Sequence, residues 1–315
     1  MQEFLIMLKN VIVFIALAIP GFILVKTKIL SPKASSVLSN VLIYVGMPFL
    51  IISNVITIEF SGELALSFLI ILGFGVFMCA SSFFLSKPFF LFENDIKKQG
   101  VARFGVSFPN NGFLGIPLCL AVFGNGPVLF YLLIFNLLNN AFLYIFGVYL
   151  VSGDKKYMKP KTALLNPVLI GFAFGLVLNF SRVNTVLPEV GSFTTYLSNM
   201  VTPLSMIILG MKLGEIKLKG LFTSKKMYYL SFIKLIVFPI IFVAVAFLFR
   251  AIGFMTNDML RAVFIAIAMP TAGMATAFAV QYNGDSESAV VYTLGTTCLS
   301  TLTIPLCYLL FVLLL

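Results

Sequence analysis

The amino-acid sequence predicts an all-α membrane protein: ten transmembrane helices in two inverted repeats of five, with helices 4 and 9 broken and crossed. Three observations point there. Sixty per cent of the 315 residues are hydrophobic, only 10% are charged, and the mean hydropathy is +1.08. A chain so apolar lacks the polar surface to cover itself in water, so lipid is its solvent. Ten apolar runs are each long enough to cross a ~30 Å hydrocarbon core. Finally, two of those runs, Arg103–Gly126 and Arg261–Gly284, repeat one another at an offset of 158 residues and both carry Pro and Gly near their middles.

Taken in order, the first five runs fall at about 4–25, 34–56, 63–86, 101–123 and 127–151. The other five fall at about 163–180, 191–212, 227–250, 259–282 and 287–313. Each is hydrophobic all round, which fits helices and not the alternating strands of a membrane barrel. The N-terminal run has no small-residue cleavage site and reads as a retained span. The longest polar linker, residues 152–162, divides the chain into a first repeat, 1–151, and a second, 163–315. Leu38-Ser39-Asn40 with Pro48 in span 2 matches Leu197-Ser198-Asn199 with Pro203 in span 7, at an offset of 159. Five is odd, so the second repeat enters the bilayer from the opposite side.

Charge fixes the expected orientation. Of 21 basic residues, 16 fall on one side: Lys26, Lys28 and Lys33; Lys87, Lys97, Lys98 and Arg103; Lys155, Lys156, Lys159 and Lys161; Lys212, Lys217, Lys219, Lys225 and Lys226. The other side holds Arg182, Arg250 and Arg261. Basic loops stay in the cytoplasm, which puts both termini outside a cytoplasmic (inner) membrane. The net charge of +10 is therefore a product of topology, and no nucleic-acid partner is inferred from it.

The interrupted spans carry the function. In span 4, Pro109 removes an amide donor, Asn110-Asn111-Gly112 favours a turn, and Gly115 and Pro117 weaken the helix again. Span 9 breaks at Pro270-Thr271-Ala272-Gly273. Lipid cannot satisfy freed backbone groups, so both breaks must face protein or a cavity. In an inverted repeat they meet near the midplane. There the half-helix starts around Gly112–Leu114 and Thr271–Gly273 offer amides to an anion such as a carboxylate. Asn110, Asn111 and Thr271 add polar side chains at the same depth.

Charged residues inside spans are few. Glu59, Glu63, Glu189 and Asp258 lie at span ends and Asp285 and Glu287 in a loop, so carboxylate sodium sites have no evident residues. Lys9 snorkels to the outer face. Lys234 lies eight residues beyond Lys226, roughly 12 Å deep at ~1.5 Å per residue. Either its stem reaches the cytoplasmic interface, or it stays buried and pairs with the anion or carries a coupling proton. Arg103 and Arg261, related by the repeat, anchor helices at opposite faces. Cys79, Cys119, Cys298 and Cys307 form no C-x-x-C pair, and the chain has no histidine, so neither metal nor cofactor is expected. Nothing points to an enzyme.

At these residues the chain resembles the auxin efflux carrier family, which includes bacterial members and the plant PIN-type auxin carriers. Pro109-Asn110-Asn111-Gly112-Phe113-Leu114-Gly115-Ile116-Pro117-Leu118 is similar to the family's P-N-T-x-x-x-G-I-P-L segment, with a matching Phe123-Gly124. Ala268-Met269-Pro270 and Phe278-Ala279-Val280-Gln281-Tyr282-Asn283 resemble its A-L-P and F-A-K-E-Y-N segments. Thr202-Pro203-Leu204 through Gly210 and Leu213 resembles its span 7 run. The resemblance implies a fold like that of the bile-acid sodium symporters and an elevator mechanism. Spans 3–5 and 8–10 would move against a scaffold of spans 1, 2, 6 and 7, through which the protein would form a homodimer. It also implies an organic-anion substrate, auxin in plants and dicarboxylates such as malonate in bacteria. Carried over by position, Asn110, Asn111, Pro117 and Pro270 are substrate-site residues. Val280 and Gln281 replace the family's Lys-Glu pair, which puts any coupling role of that pair in doubt.

The reading is thus a secondary transporter of a small organic carboxylate. A cation-coupled organic-anion symporter of similar fold and a sensor that binds the same ligand without moving it are the alternatives. A channel has no selectivity ring to support it.

Overall fold

The structure is a computed structural model that describes residues 2–31, 33–58, 62–158, 160–161, 165–215 and 221–315. Glu59, Lys159, Lys217 and Lys219 lie outside the described residues. Among those described, the regular structure is helical. Seven helices are long and apolar enough to cross a membrane: α1 (Glu3–Lys26), α2 (Lys33–Val55), α3 (Gly62–Phe89), α6 (Pro127–Ser152), α8 (Pro188–Glu215), α9 (Lys225–Ala251) and α12 (Ser286–Leu314). The shorter α5 (Asn111–Phe123) and α7 (Pro167–Phe180) are also apolar. Two further helices, α4 (Ile96–Ser107) and α10 (Asn257–Ala268), precede the two interruptions, and α11 (Met274–Gln281) follows the second. Even α2, with 23 residues, is long enough for the bilayer core at ~1.5 Å per residue.

The ends of these helices are written in their sequences. Asp95 accepts from the amides of Lys97 and Lys98 at the start of α4, Asn166 from Val168 on α7, Ser224 from Met227 on α9, and Thr256 from Met259 on α10. Each satisfies an amide that has no intrahelical acceptor. Within the spans, wide π turns occur at Leu42–Gly46, Asn111–Gly115 and Ile233–Val237, and Pro48, Pro117 and Pro239 follow them. A proline ring collides with the carbonyl four residues before it. The wider turn swings that carbonyl aside and lets the helix continue.

Packing separates buried from lipid-facing helices. From Ala262 to Ala272 every residue is buried, so the second half of α10 and the break after it are enclosed by protein. By contrast Ile12 of α1, Leu69 of α3 and Leu306 of α12 are exposed, the apolar exterior expected toward lipid. The longest contact runs between α1 and the second half of α8, and α7 lies along the second half of α2. Asn179 of α7 fixes that pair by donating to the carbonyls of Val55, Ile56 and Ile58 at 3.0, 3.1 and 2.8 Å, closing the end of α2. The helices α3, α4, α6, α9, α10 and α12 pack chiefly among themselves, and α5 joins them while also touching α1 and α8.

Candidate functional site

The two interruptions touch. Pro109 and Thr271 face each other in a single antiparallel bridge, in which the Asn110 amide donates to the Pro270 carbonyl at 2.8 Å and the Ala272 amide to the Phe108 carbonyl at 2.9 Å. In this pattern neither Pro109 nor Thr271 donates across the bridge, so proline occupies a position where its missing N–H costs no ladder bond. The Thr271 amide turns the other way and donates to Thr296 Oγ1 of α12 at 3.1 Å. Its hydroxyl donates to the Gly105 carbonyl in the last turn of α4 at 2.8 Å. Asn139 of α6 donates to the Pro109 carbonyl at 3.1 Å. The bridge thereby supplies the partners that lipid could not.

Beside the crossing lies a cavity of about 60 Å³. Six asparagines line it: Asn110 and Asn111 from the break, Asn136, Asn139 and Asn140 from α6, and Asn166 at the start of α7. Some of their polar atoms are engaged; Asn140 Nδ2, for instance, donates to Asn136 Oδ1 at 3.1 Å. Asn111 Oδ1 and Asn136 Nδ2 are buried without a partner, an acceptor and a donor on residues that line the cavity. Such groups are costly to bury unpaired. Gly112 admits the cavity wall: a methyl there would lie 3.1 Å from Met47 Cε and 3.6 Å from Asn136 Oδ1.

A family model described as Membrane transport protein matches residues 5–308, nearly the whole chain. The chain belongs to this family, that of the auxin efflux carriers. It is a multi-pass membrane transporter, in a family of transporters and not of enzymes. A search of curated proteins gave no match.

In this transporter the residues singled out from sequence divide into two groups. Asn110, Asn111, Gly112 and Gly273 line the amide cavity. Gly115, Pro117, Pro270 and Thr271 do not; they shape the crossing. A methyl on Gly115 would approach Met269 Cγ to 3.1 Å, so Gly115 lets α5 lie against the end of α10. The Thr271 hydroxyl, expected to face a ligand, is already committed to Gly105. Asn136, Asn139, Asn140 and Asn166 were missed, although Asn136-x-x-Asn139-Asn140 places three amides on one helical face of an apolar span, a signal present in the sequence.

Lys234 takes the buried one of its two expected places, and Lys212 differs from its own. Lys234 does not reach the cytoplasmic interface: it is fully buried, and Nζ has no hydrogen-bond partner. It sits in the π turn of α9, where Ile233, Lys234 and Leu235 are all buried, so the side chain points among helices and not along a lipid face. Lys212, counted above as a loop charge, lies within α8, and a methyl on Gly273 would come 3.7 Å from its Nζ. Lys9 is exposed on α1. Arg103 ties α4 to α3 through Ser86 Oγ and the Phe83 carbonyl. Arg261 of α10 pairs with Glu3 of α1 at 2.9 Å, and Tyr308 of α12 donates to the same carboxylate at 2.6 Å.

Proposed function

We propose that this membrane transporter is a secondary carrier of a small organic carboxylate, bound at the crossing of two broken helices. The observation that carries the reading is the cavity lined by six asparagines at the crossing, where Asn136 Nδ2 is a buried donor without a partner that a carboxylate oxygen could satisfy. The amides at the starts of α5 and α11 add partial positive charge, and asparagine Nδ2 groups add donors that suit carboxylate oxygens.

In this reading α4–α5 and α10–α11 each count as one broken span, giving ten spans in two inverted repeats, 1–151 and 163–315. The α3–α6 and α9–α12 group is the moving elevator domain and α1, α2, α7 and α8 the scaffold, through which two copies form a homodimer. The contact pattern favours this division, because helices within each group touch one another more than they touch the other group. The basic loops put both termini outside the cytoplasmic membrane. Lys234, buried and unpaired, is the candidate for a coupling proton.

The test is uptake of labelled mono- and dicarboxylates into proteoliposomes, wild type against Asn111→Leu. Accumulation that Asn111→Leu abolishes supports the carrier. Binding without accumulation in the wild type supports the sensor, and strict dependence on sodium supports the cation-coupled symporter.

A further inference from the structure

The crossing has a second side. Asn110, Phe113 and Gly273 line a second cavity of about 30 Å³ as well as the amide cavity, and Lys212 of α8 with Thr293 and Thr297 of α12 complete it. No asparagine other than Asn110 lines it; its other polar side chains are Lys212, Thr293, Thr297 and Ser205, whose hydroxyl donates to the Thr202 carbonyl of its own helix at 2.9 Å. Among the described residues Lys212 has no ion-pair or hydrogen-bond partner, and the neighbouring carboxylate, Glu215, is exposed at the end of α8. Thr293 is 4% exposed, and its hydroxyl has no partner either. The adjacent hydroxyls behave differently: Thr296 and Thr297 donate back to carbonyls of their own helix, at 2.8 and 2.7 Å. An ammonium, an unpartnered hydroxyl and the residue just before α11 therefore line one small space, and the only carboxylate near the ammonium, Glu215, is exposed and forms no ion pair with it.

Next to it lies an apolar cavity of about 260 Å³ between α1, α5, α8 and α12. The two share Leu114, Met206, Leu209 and Thr297 as a common wall. Val11, Phe14 and Leu118 are among the side chains that make the larger one apolar.

We propose that Lys212 binds the carboxylate of the transported anion, with the Thr293 hydroxyl as a second donor, while the neighbouring apolar cavity takes the rest of the molecule. This rests on the organic-anion reading and narrows it to a monocarboxylic acid with an apolar body. A carboxylate here would pair with a half-buried ammonium that has no ion-pair or hydrogen-bond partner of its own. A second carboxylate would have to enter a chamber that offers it no cation, which disfavours dicarboxylates. Because Lys212 lies on the scaffold and Gly273 on the moving domain, the charge contact forms in this state and is broken as the crossing travels. Lys212 then acts at one end of the transport cycle.

Equilibrium binding to the purified carrier tests this. The probes are labelled aliphatic and aryl-substituted monocarboxylates, their neutral amides, and dicarboxylates. The proteins are the wild type, Lys212→Gln, Lys212→Arg and Asn111→Leu. The wild type should prefer an apolar acid to its amide, and to dicarboxylates, by at least about tenfold. Lys212→Gln should bind acid and amide alike, and Lys212→Arg, which keeps the charge, should retain the preference and so exclude misfolding as the cause. An acid preference undiminished in Lys212→Gln, or dicarboxylates bound more tightly than apolar acids, overturns the inference. If Asn111→Leu alone loses binding, the carrier reading stands and this inference fails. If the wild type binds no carboxylate, both fail.

Discussion

Thr271→Val is the sharpest perturbation of the crossing. Gly105 lies in the last turn of α4, and the residue that would donate to its carbonyl in a continued helix is Pro109, which has no N–H. Thr271 Oγ1 fills that vacancy at 2.8 Å, and Thr271 is completely buried. Valine has nearly the same shape, so the substitution opens no cavity and removes one donor. An unsatisfied buried acceptor costs about 1–3 kcal/mol. Taking about 2 kcal/mol, the thermal midpoint should fall by roughly 3 °C for a chain of this length. The assay is thermal unfolding in detergent with a thiol-reactive dye, for which the buried Cys119 is a natural reporter. Thr271→Ser keeps the hydroxyl and should melt close to wild type. A Thr271→Val protein as stable as Thr271→Ser would refute the argument that the hydroxyl closes the end of α4.

Other expectations follow from the same geometry. Asn111→Leu replaces a polar side chain of the cavity wall by an apolar one, so uptake should fall at least about tenfold while the thermal midpoint holds or rises, because no existing bond at Asn111 Oδ1 is lost. Lys234→Met replaces a buried, unpartnered ammonium by an apolar chain of similar length. Stability should rise by about 1–4 kcal/mol, and the pH dependence of uptake should flatten; an unchanged pH profile removes Lys234 from coupling. Gly210 of α8 faces the Ala18 carbonyl of α1, and Gly21 of α1 faces the Ile207 carbonyl, so the two backbones meet with no room for a side chain. Gly210→Ala should destabilise by about 1–3 kcal/mol through overpacking, read as a lower midpoint and a lower yield of monodisperse protein.

Much of the molecule was legible because membrane helices announce themselves by length. The expected run at 227–250 lies within Lys225–Ala251, and that at 287–313 within Ser286–Leu314. Pro109 and Pro270 marked the interruptions, since a missing amide inside an apolar run needs a special environment wherever it occurs. The extended segment lies slightly earlier than the Asn110-Asn111-Gly112 turn suggested: Asn111 already opens a π turn, which Pro117 makes necessary. What sequence could not give was direction. The asparagines of α6 were visible as letters, but only the rotation of α6 aims them at the break. Lys212 was assigned to a loop because a lysine near the end of an apolar run reads equally as a last interfacial residue or as one that folds back. Its proximity to Gly273 depends on how α8 packs against α11 and α12, a long-range fact. Lys234 illustrates the same ambiguity: its depth was calculable from spacing, while its facing was set by the π turn of α9.

The central claim is that an organic anion is held where the broken helices cross, and an experimental structure of the carrier with a transported carboxylate tests it most directly. The ligand should contact Asn110 and the start of α11 at Gly273, with its acid group within hydrogen-bonding distance of Asn111, Asn136 or Lys212. Ligand density remote from the Pro109–Thr271 bridge, with the crossing unchanged and empty, would contradict it.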